Sequence, residues 1–156
     1  MGSGKTTVGR ELSALAGLPF IDLDERIRQV SGCSIPEIFA SEGEARFRKI
    51  EFDCLKDILE GGGSLVLSLG GGTVTIPGAL ELLGQKSALV YLEASPQTIL
   101  SRLGDSDGSR PLFRGGDFAA LLESRRPFYE QARLIIPVDG KNACEVAKEI
   151  KSKIPI

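Results

Sequence analysis

Short apolar runs alternate along this chain with segments whose apolar residues recur at a helical period. Residues 6–16 carry Val8, Leu12 and Leu15 on one face and stop at Gly17, which predicts an amphipathic helix with a glycine end. Residues 19–22 predict a short buried strand, and residues 24–30 a helix ending near Gly32. Ser34-Ile35-Pro36-Glu37 has the spacing of a capping box and predicts a short helix carrying Ile38 and Phe39. After a break at Gly43, residues 44–60 place Phe47, Ile50, Cys54, Leu55 and Ile58 at helical period and predict a longer helix, closed by Gly61-Gly62-Gly63. Residues 64–69 and 88–92 are continuous apolar runs and predict strands, with a short helix over 77–83 between them. Ser95-Pro96 reads as an N-cap followed by proline at the first helical position, opening a helix to Leu103. Residues 104–116 are polar and read as a mobile loop. A helix over 117–132 that contains Pro127, a strand over 134–138 and a helix over 143–154 complete the expected order.

Short apolar strands alternating with helices predict an α/β fold whose parallel sheet is covered on both faces. Such a sheet binds its ligands at the carboxyl ends of its strands. Four strands are expected within the chain. The 156 residues and 42% hydrophobic content point to a single domain over 1–156 with a buried core. A net charge of −2, with no run of Lys and Arg, argues against nucleic acid or an anionic membrane as partner. Cys33, Cys54 and Cys144 are odd in number and widely spaced, so neither a disulfide framework nor a zinc site is suggested. They read as reduced, mostly packed thiols of a cytoplasmic protein. No apolar run approaches the roughly 20 residues of a membrane span, and no signal-peptide pattern is present at this N-terminus. Histidine is absent, which removes the usual general base, so any proton must go to a carboxylate or to solvent.

The strongest chemical signal is Gly2-Ser3-Gly4-Lys5-Thr6-Thr7. It matches the later part of the phosphate-cradling pattern G-x-x-x-x-G-K-[ST], with Gly4, Lys5 and Thr6 in its last three places. The leading glycine, and a strand feeding the loop, are expected upstream of Met1. Backbone N–H groups in such a turn point into one concavity, and the helix that follows adds its positive end. Lys5 would reach the terminal phosphates and Thr6 would ligate Mg²⁺. Asp22 and Asp24 stand at the end of the second element, where residues two apart in an extended chain project to one side. They either hold Mg²⁺ and orient an acceptor hydroxyl or merely cap the next helix. Arg48 and Glu51, three apart on a helix, read by spacing alone as a solvated pair. The adjacent Arg125 and Arg126 read as exposed charge. Gly70-Gly71-Gly72 after an apolar strand either admits a ligand close to the backbone or makes a tight turn. Arg110, in the polar loop, is either inert or a group that closes over a nucleotide.

Taken jointly, these segments resemble the shikimate kinases, within the nucleoside-monophosphate-kinase-like group of P-loop enzymes. The resemblance is carried by Gly-Ser-Gly-Lys-Thr-Thr at 2–7, Phe-Ile-Asp-Leu-Asp at 20–24, Ile-Phe-Ala-Ser-Glu-Gly-Glu at 38–44 and Phe-Arg at 47–48. Further along, Gly-Gly-Gly at 70–72, Arg-Pro-Leu at 110–112 and Arg-x-Pro-x-Tyr at 125–129 continue it. It implies a three-layer α/β/α P-loop kinase fold with a five-stranded parallel sheet, whose first strand would precede Met1, and a lid over about residues 104–116. It also implies transfer of the ATP γ-phosphoryl group to the 3-hydroxyl of shikimate, with Mg²⁺, in a monomer of the chorismate pathway.

Carried over by position, Gly2, Ser3, Gly4, Lys5, Thr6 and Thr7 would hold the ATP phosphates, and Thr6 and Asp22 the metal. Asp24 would hold the attacking hydroxyl, Arg48 and Arg125 the substrate carboxylate, and Gly71 and Gly72 the ring hydroxyls. Glu51 would back the site, and Arg110 would be the catalytic arginine of the lid. Arg102 and the Asp139-Gly140-Lys141-Asn142 turn would lie near the adenine. A substrate with one carboxylate and several hydroxyls suits this mixture of arginine forks, acids and backbone. A related small-molecule kinase such as a gluconate kinase, and a nucleotide-binding module without catalysis, are the alternatives.

Overall fold

A computed structural model describes residues 2–104 and 118–155. The polar segment expected as a lid, with Arg110 in it, lies outside the described residues.

Each apolar segment forms the element its period predicts, with small shifts at the ends. The helix α1 spans Lys5–Ala16 and is followed by the strand β1, Phe20–Asp22. The helix α2 is Leu23–Ser31 and α3 is Ile35–Glu60. Ser34 and Glu37 form the expected capping box at the start of α3. Gly43 breaks α3 internally: its φ of 79° and ψ of 173° are outside the helical region and favour glycine. The chain therefore turns where the sequence separates two helices. After β2 (Val66–Ser68) comes a 3₁₀ turn, Thr73–Thr75, then α4 (Ala79–Lys86) and β3 (Val90–Glu93). The helices α5 (Pro96–Gly104) and α6 (Phe118–Tyr129), the strand β4 (Leu134–Pro137) and α7 (Ala143–Lys153) complete the described chain. Pro127 sits in the last turn of α6.

The strands pair in parallel, β1 with β2 and β3 with β4. Here the structure departs from the single five-stranded sheet: the described residues hold two separate two-stranded sheets. The physical reason lies in hydrogen-bond pairing. Among the described residues neither β2 nor β3 has a second strand neighbour, and the apolar residues along them stay largely half-buried. An apolar cavity of about 70 Å³ lies there, lined by Leu69, Gly70 and Gly71 after β2, by Leu89 to Leu92 along β3, and by Ser3 and Lys5.

Alternate strand residues face two apolar clusters. Val66, Val90, Leu92, Leu134 and Ile136 pack with Val8 and Leu12 of α1 and Val146, Ala147 and Ile150 of α7. Leu67, Leu69 and Leu89 face the other way, towards Leu23, Ile27, Phe47, Leu55 and Leu83 of α2, α3 and α4. Of the cysteines only Cys54 is buried; Cys33 is exposed, contrary to the expectation of mostly packed thiols, because it lies in the turn between α2 and α3. No helix among the described residues is long and apolar enough to cross a membrane.

The contact that seats α1 on β1 is Gly9 against Phe20, where an added Cβ would lie 2.6 Å from the ring. Gly9→Ala gains about 1 kcal/mol of helix propensity but loses about 1–3 kcal/mol to overpacking. Urea unfolding should therefore show Gly9→Ala less stable than the parent, and adding Phe20→Leu should recover part of the loss.

Candidate active site

The phosphate loop leads directly into α1. The N-cap Gly4 makes no side-chain cap hydrogen bond to that helix, and the helix start faces the loop as in the phosphate-cradling pattern. Ser3 of the loop is buried, and Ser3 and Lys5 line the cavity that also reaches Gly70 and Gly71. The Thr6 hydroxyl donates to Asp22 Oδ2 at 2.8 Å. The other oxygen, Asp22 Oδ1, accepts from the backbone N–H of Asp24 at 3.1 Å and of Glu25 at 3.3 Å. Asp22 is thus the cap of α2, one of the two roles read from the sequence, and also the partner of Thr6. Asp24 corrects a geometric expectation, since it lies inside the first turn of α2 and not on an extended chain. Its Oδ1 sits 3.2 Å from where a Cβ on Gly70 would be.

The second half of the site forms where α3 meets the glycine run after β2. Glu51 is only 1% exposed, which overturns its reading as half of a solvated pair. The cause is packing: the face of α3 that carries Glu51 is covered by Gly70 and the 3₁₀ turn, and the side chain takes two partners there. Arg48 Nη1 donates to Glu51 Oε2 at 2.6 Å, and the Thr73 hydroxyl donates to Oε1 at 2.5 Å. On its other side, Arg48 donates from Nε at 3.3 Å and Nη2 at 3.2 Å to Glu44 Oε1. A Cβ on Gly70 would lie 2.9 Å from Glu51 Oε1 and 3.2 Å from Thr73 Oγ1; one on Gly72 would lie 2.6 Å from both terminal nitrogens of Arg48. Only hydrogen at these α-carbons leaves the acid and the guanidinium in place.

Arg125 arrives on α6. One turn further on, the Tyr129 hydroxyl donates to the Gly71 carbonyl at 2.7 Å, and its ring stacks on Tyr91 with centroids 4.9 Å apart. Burial pushes the Tyr129 phenol up, against the opposing pull of the Arg125 charge beside it. Arg126 behaves as the exposed charge expected of it, paired with Glu123. Thr73 and Tyr129 had no role assigned from the sequence, and Gly70 only the shared reading of the glycine run. The glycine run and the Arg-x-Pro-x-Tyr segment contain two of them, whereas Thr73 carries no sequence signal, because its value lies in an acid 22 residues away.

The remaining candidates are spread towards the other end of the loop. Arg102 Nη1 donates to the Gly2 carbonyl at 3.4 Å, which puts its guanidinium beside the phosphate loop. Asp139 accepts from the Ser95 N–H at 3.1 Å and ties the turn after β4 to the start of α5. Hydrogen bonds from Thr98 and from the Ser95 N–H hold its carboxyl below the usual range. Lys141 pairs with Glu149 at 2.7 Å, and Asn142 caps α7. Among the described residues no group of three or more His, Cys, Asp or Glu could hold a metal by itself.

The phosphate-loop residues Ser3 and Lys5, the arginine held over Gly72 and Oδ1 of Asp24 all approach the one glycine run. The family model for shikimate kinase matches residues 1–155. This chain belongs to the shikimate kinase family. A shikimate kinase of Thermus thermophilus is 41% identical over 158 aligned positions, covering 99% of this chain and 85% of that protein. That of Moorella thermoacetica is 41% identical over 157 positions, with 99% and 90% covered. Among solved structures, the shikimate kinase of Acinetobacter baumannii in complex with shikimate superposes with a TM-score of 0.91 at 37% identity, covering 98% of this chain and 87% of that one. The shikimate kinase of Bacteroides thetaiotaomicron gives 0.90 at 30% identity, covering 100% and 94%. The family fold thus accommodates the α/β arrangement found here.

The double duty of Asp22 separates two substitutions. Asp22→Ala removes an N-cap and should cost about 1 kcal/mol of stability, whereas Asp22→Asn keeps a good capping residue and should stay within about 0.5 kcal/mol of the parent. Thermal unfolding of the two variants without nucleotide reads the cap together with the Thr6 hydrogen bond, both of which the asparagine side-chain oxygen can in part retain.

Proposed function

We propose that this protein transfers the γ-phosphoryl group of ATP to the 3-hydroxyl of shikimate, giving shikimate 3-phosphate and ADP. The single observation that carries this reading is the Arg48 guanidinium, held by a buried glutamate against Gly72, in the same glycine run that Asp24 and the phosphate-loop residues Ser3 and Lys5 approach. A carboxylate-bearing polyol can lie between the arginine and the loop. Membership of the shikimate kinase family supports the same substrate.

Gly2, Ser3, Gly4, Lys5, Thr6 and Thr7 cradle the ATP phosphates through N–H groups and the Lys5 ammonium. Thr6 and Asp22 bring a hydroxyl and a carboxylate oxygen together at 2.8 Å, hard oxygen donors of the kind Mg²⁺ prefers. When bound there with ATP, Mg²⁺ supplies charge neutralisation on the phosphate oxygens. Arg48 and Arg125 grip the substrate carboxylate, and the Gly71 and Gly72 backbone meets its hydroxyls. Asp24 orients the attacking hydroxyl. The new bond joins that oxygen to the γ-phosphorus while the bond from phosphorus to the β–γ bridging oxygen breaks. The hydroxyl proton passes to Asp24 or to solvent late in the step, as a loose transition state allows. Arg110 is assigned to the lid by its sequence position, closing on the transferring group. Arg102, beside the phosphate loop, and the turn at Asp139 border the nucleotide. The same reading makes the enzyme a cytoplasmic monomer.

A coupled ADP-release assay with shikimate and with gluconate tests the assignment: turnover with shikimate alone is expected. Release with gluconate alone selects the rival kinase, and no release with either makes the protein a nucleotide-binding module. For the clamp, Arg48→Lys and Arg125→Lys keep charge but lose the planar fork. Each should raise the shikimate KM about tenfold, equivalent to roughly 1.4 kcal/mol, with little change for ATP. Normal shikimate kinetics in both would remove the clamp.

We also read the cavity between β2 and β3 as the place of a fifth, central parallel strand running into Gly2. What supports it is the pair of strand edges, unpartnered among the described residues, beside apolar space. Joining a β-prone apolar segment of about six residues ahead of Met1 should raise Tm and tighten ATP binding. Unchanged values for both would refute the fifth strand.

A further inference from the structure

We propose that Thr73 is a positioning residue for the substrate carboxylate: its hydroxyl orients Glu51, and Glu51 orients the Arg48 guanidinium. This rests on the reading of Arg48 as a carboxylate clamp and extends it to a residue that touches no substrate.

The geometry is a relay with one partner for each oxygen. Thr73 is 0% exposed, and its hydroxyl donates to Glu51 Oε1 at 2.5 Å. Glu51 Oε2 accepts from Arg48 Nη1 at 2.6 Å. A carboxylate with one partner can turn about its last torsion; with a different donor on each oxygen its plane is defined. Arginine has five N–H groups. Here one on Nη1 is engaged by Glu51, and those on Nε and one on Nη2 by Glu44. One hydrogen on each terminal nitrogen is left, a pair of donors that can serve as a fork for a carboxylate. Of the two acids that aim this fork, Glu44 has a side chain 60% exposed whereas that of Glu51 is 1% exposed. The buried one therefore sets the direction, and Thr73 sets the buried one.

Thr73 is also well placed to coordinate the fork with the backbone. It begins the 3₁₀ turn directly after Gly72, and its N–H donates to the Gly70 carbonyl at 3.2 Å. The same residue thus shapes the glycine run through its main chain and the arginine through its side chain. Removing the hydroxyl leaves Glu51 Oε1 buried without its donor. The acid must then turn towards Arg48, the remaining neighbouring donor, and the fork loses its direction.

The test is steady-state kinetics on Thr73→Val and Thr73→Ser beside Arg48→Lys, each with shikimate, ATP and a shikimate analogue lacking the carboxylate. The expected result is a shikimate KM raised at least about fivefold in Thr73→Val, with the ATP KM within about twofold. Thr73→Ser, which keeps the hydroxyl, should restore the parent value, and the analogue should show no difference between parent and Thr73→Val. A shikimate KM unchanged in Thr73→Val while Arg48→Lys raises it overturns the role of Thr73 and leaves the clamp standing. Unchanged values in both overturn the clamp as well. Equal losses for shikimate and ATP, or no rescue by serine, make Thr73 merely a packing residue. Should Thr73→Val fail to fold, Thr73→Ala is read by the same criteria.

Discussion

A carboxylate taken out of water must be compensated, and the substrate half of this protein is organised around one such group. Glu51 lies beneath the glycine run with a cation on one oxygen and a hydroxyl on the other. Burying an acid without such partners costs several kcal/mol. That cost makes the surrounding choices interdependent: an arginine one turn earlier on α3, a threonine just past the glycines, and α-carbons without side chains above them. The phosphate half depends in the same manner on Asp22, which secures the start of α2 and the Thr6 hydroxyl with its two oxygens. Two acids, each with a partner on both oxygens, connect helices α1, α2 and α3 to the carboxyl ends of β1 and β2.

The strands supply the frame on which those acids are held. Parallel strands gain most when both edges are paired and both faces covered. Here the faces are covered, by α1 and α7 on one side and by α2, α3 and α4 on the other. Edge pairing is satisfied within each of the two strand pairs and not between them. The helices therefore carry much of the cohesion between the halves: α1 and α7 share one apolar cluster with residues from β2, β3 and β4. Lys151 adds a hydrogen bond from its ammonium to the Leu15 carbonyl at 2.6 Å, securing the ends of α1 and α7 to each other.

Much of this was legible in local pattern, because elements follow local rules. Helical period located α1, α2, α3 and α7; a capping box marked the start of α3; and Gly43 announced the break in α3 by its residue type. The phosphate loop was legible because its function is written in consecutive residues. What escaped local reading was long-range pairing. Arg48 and Glu51 have the spacing of a surface pair, and nothing on α3 says that the face will be roofed by residues 70–73. Thr73 and Tyr129 each act on a group 22 and 58 positions away, so their roles exist only after the chain folds. The alternation rule misplaced Asp24 for a related reason: the chain becomes helical at Leu23, one residue before it.

Gly70 gives this arrangement an evolutionary consequence. Its α-carbon is hemmed in by oxygens from Asp24, Glu51 and Thr73, which come from three separate elements. A side chain there would push on Glu51 Oε1 at 2.9 Å and crowd the other two oxygens at 3.2 Å, so even a methyl group shifts the acid that holds Arg48. A small molecule that draws its affinity from contact with the Gly70 backbone would therefore press on a position where a substitution that blocks the contact also disturbs the acid behind Arg48.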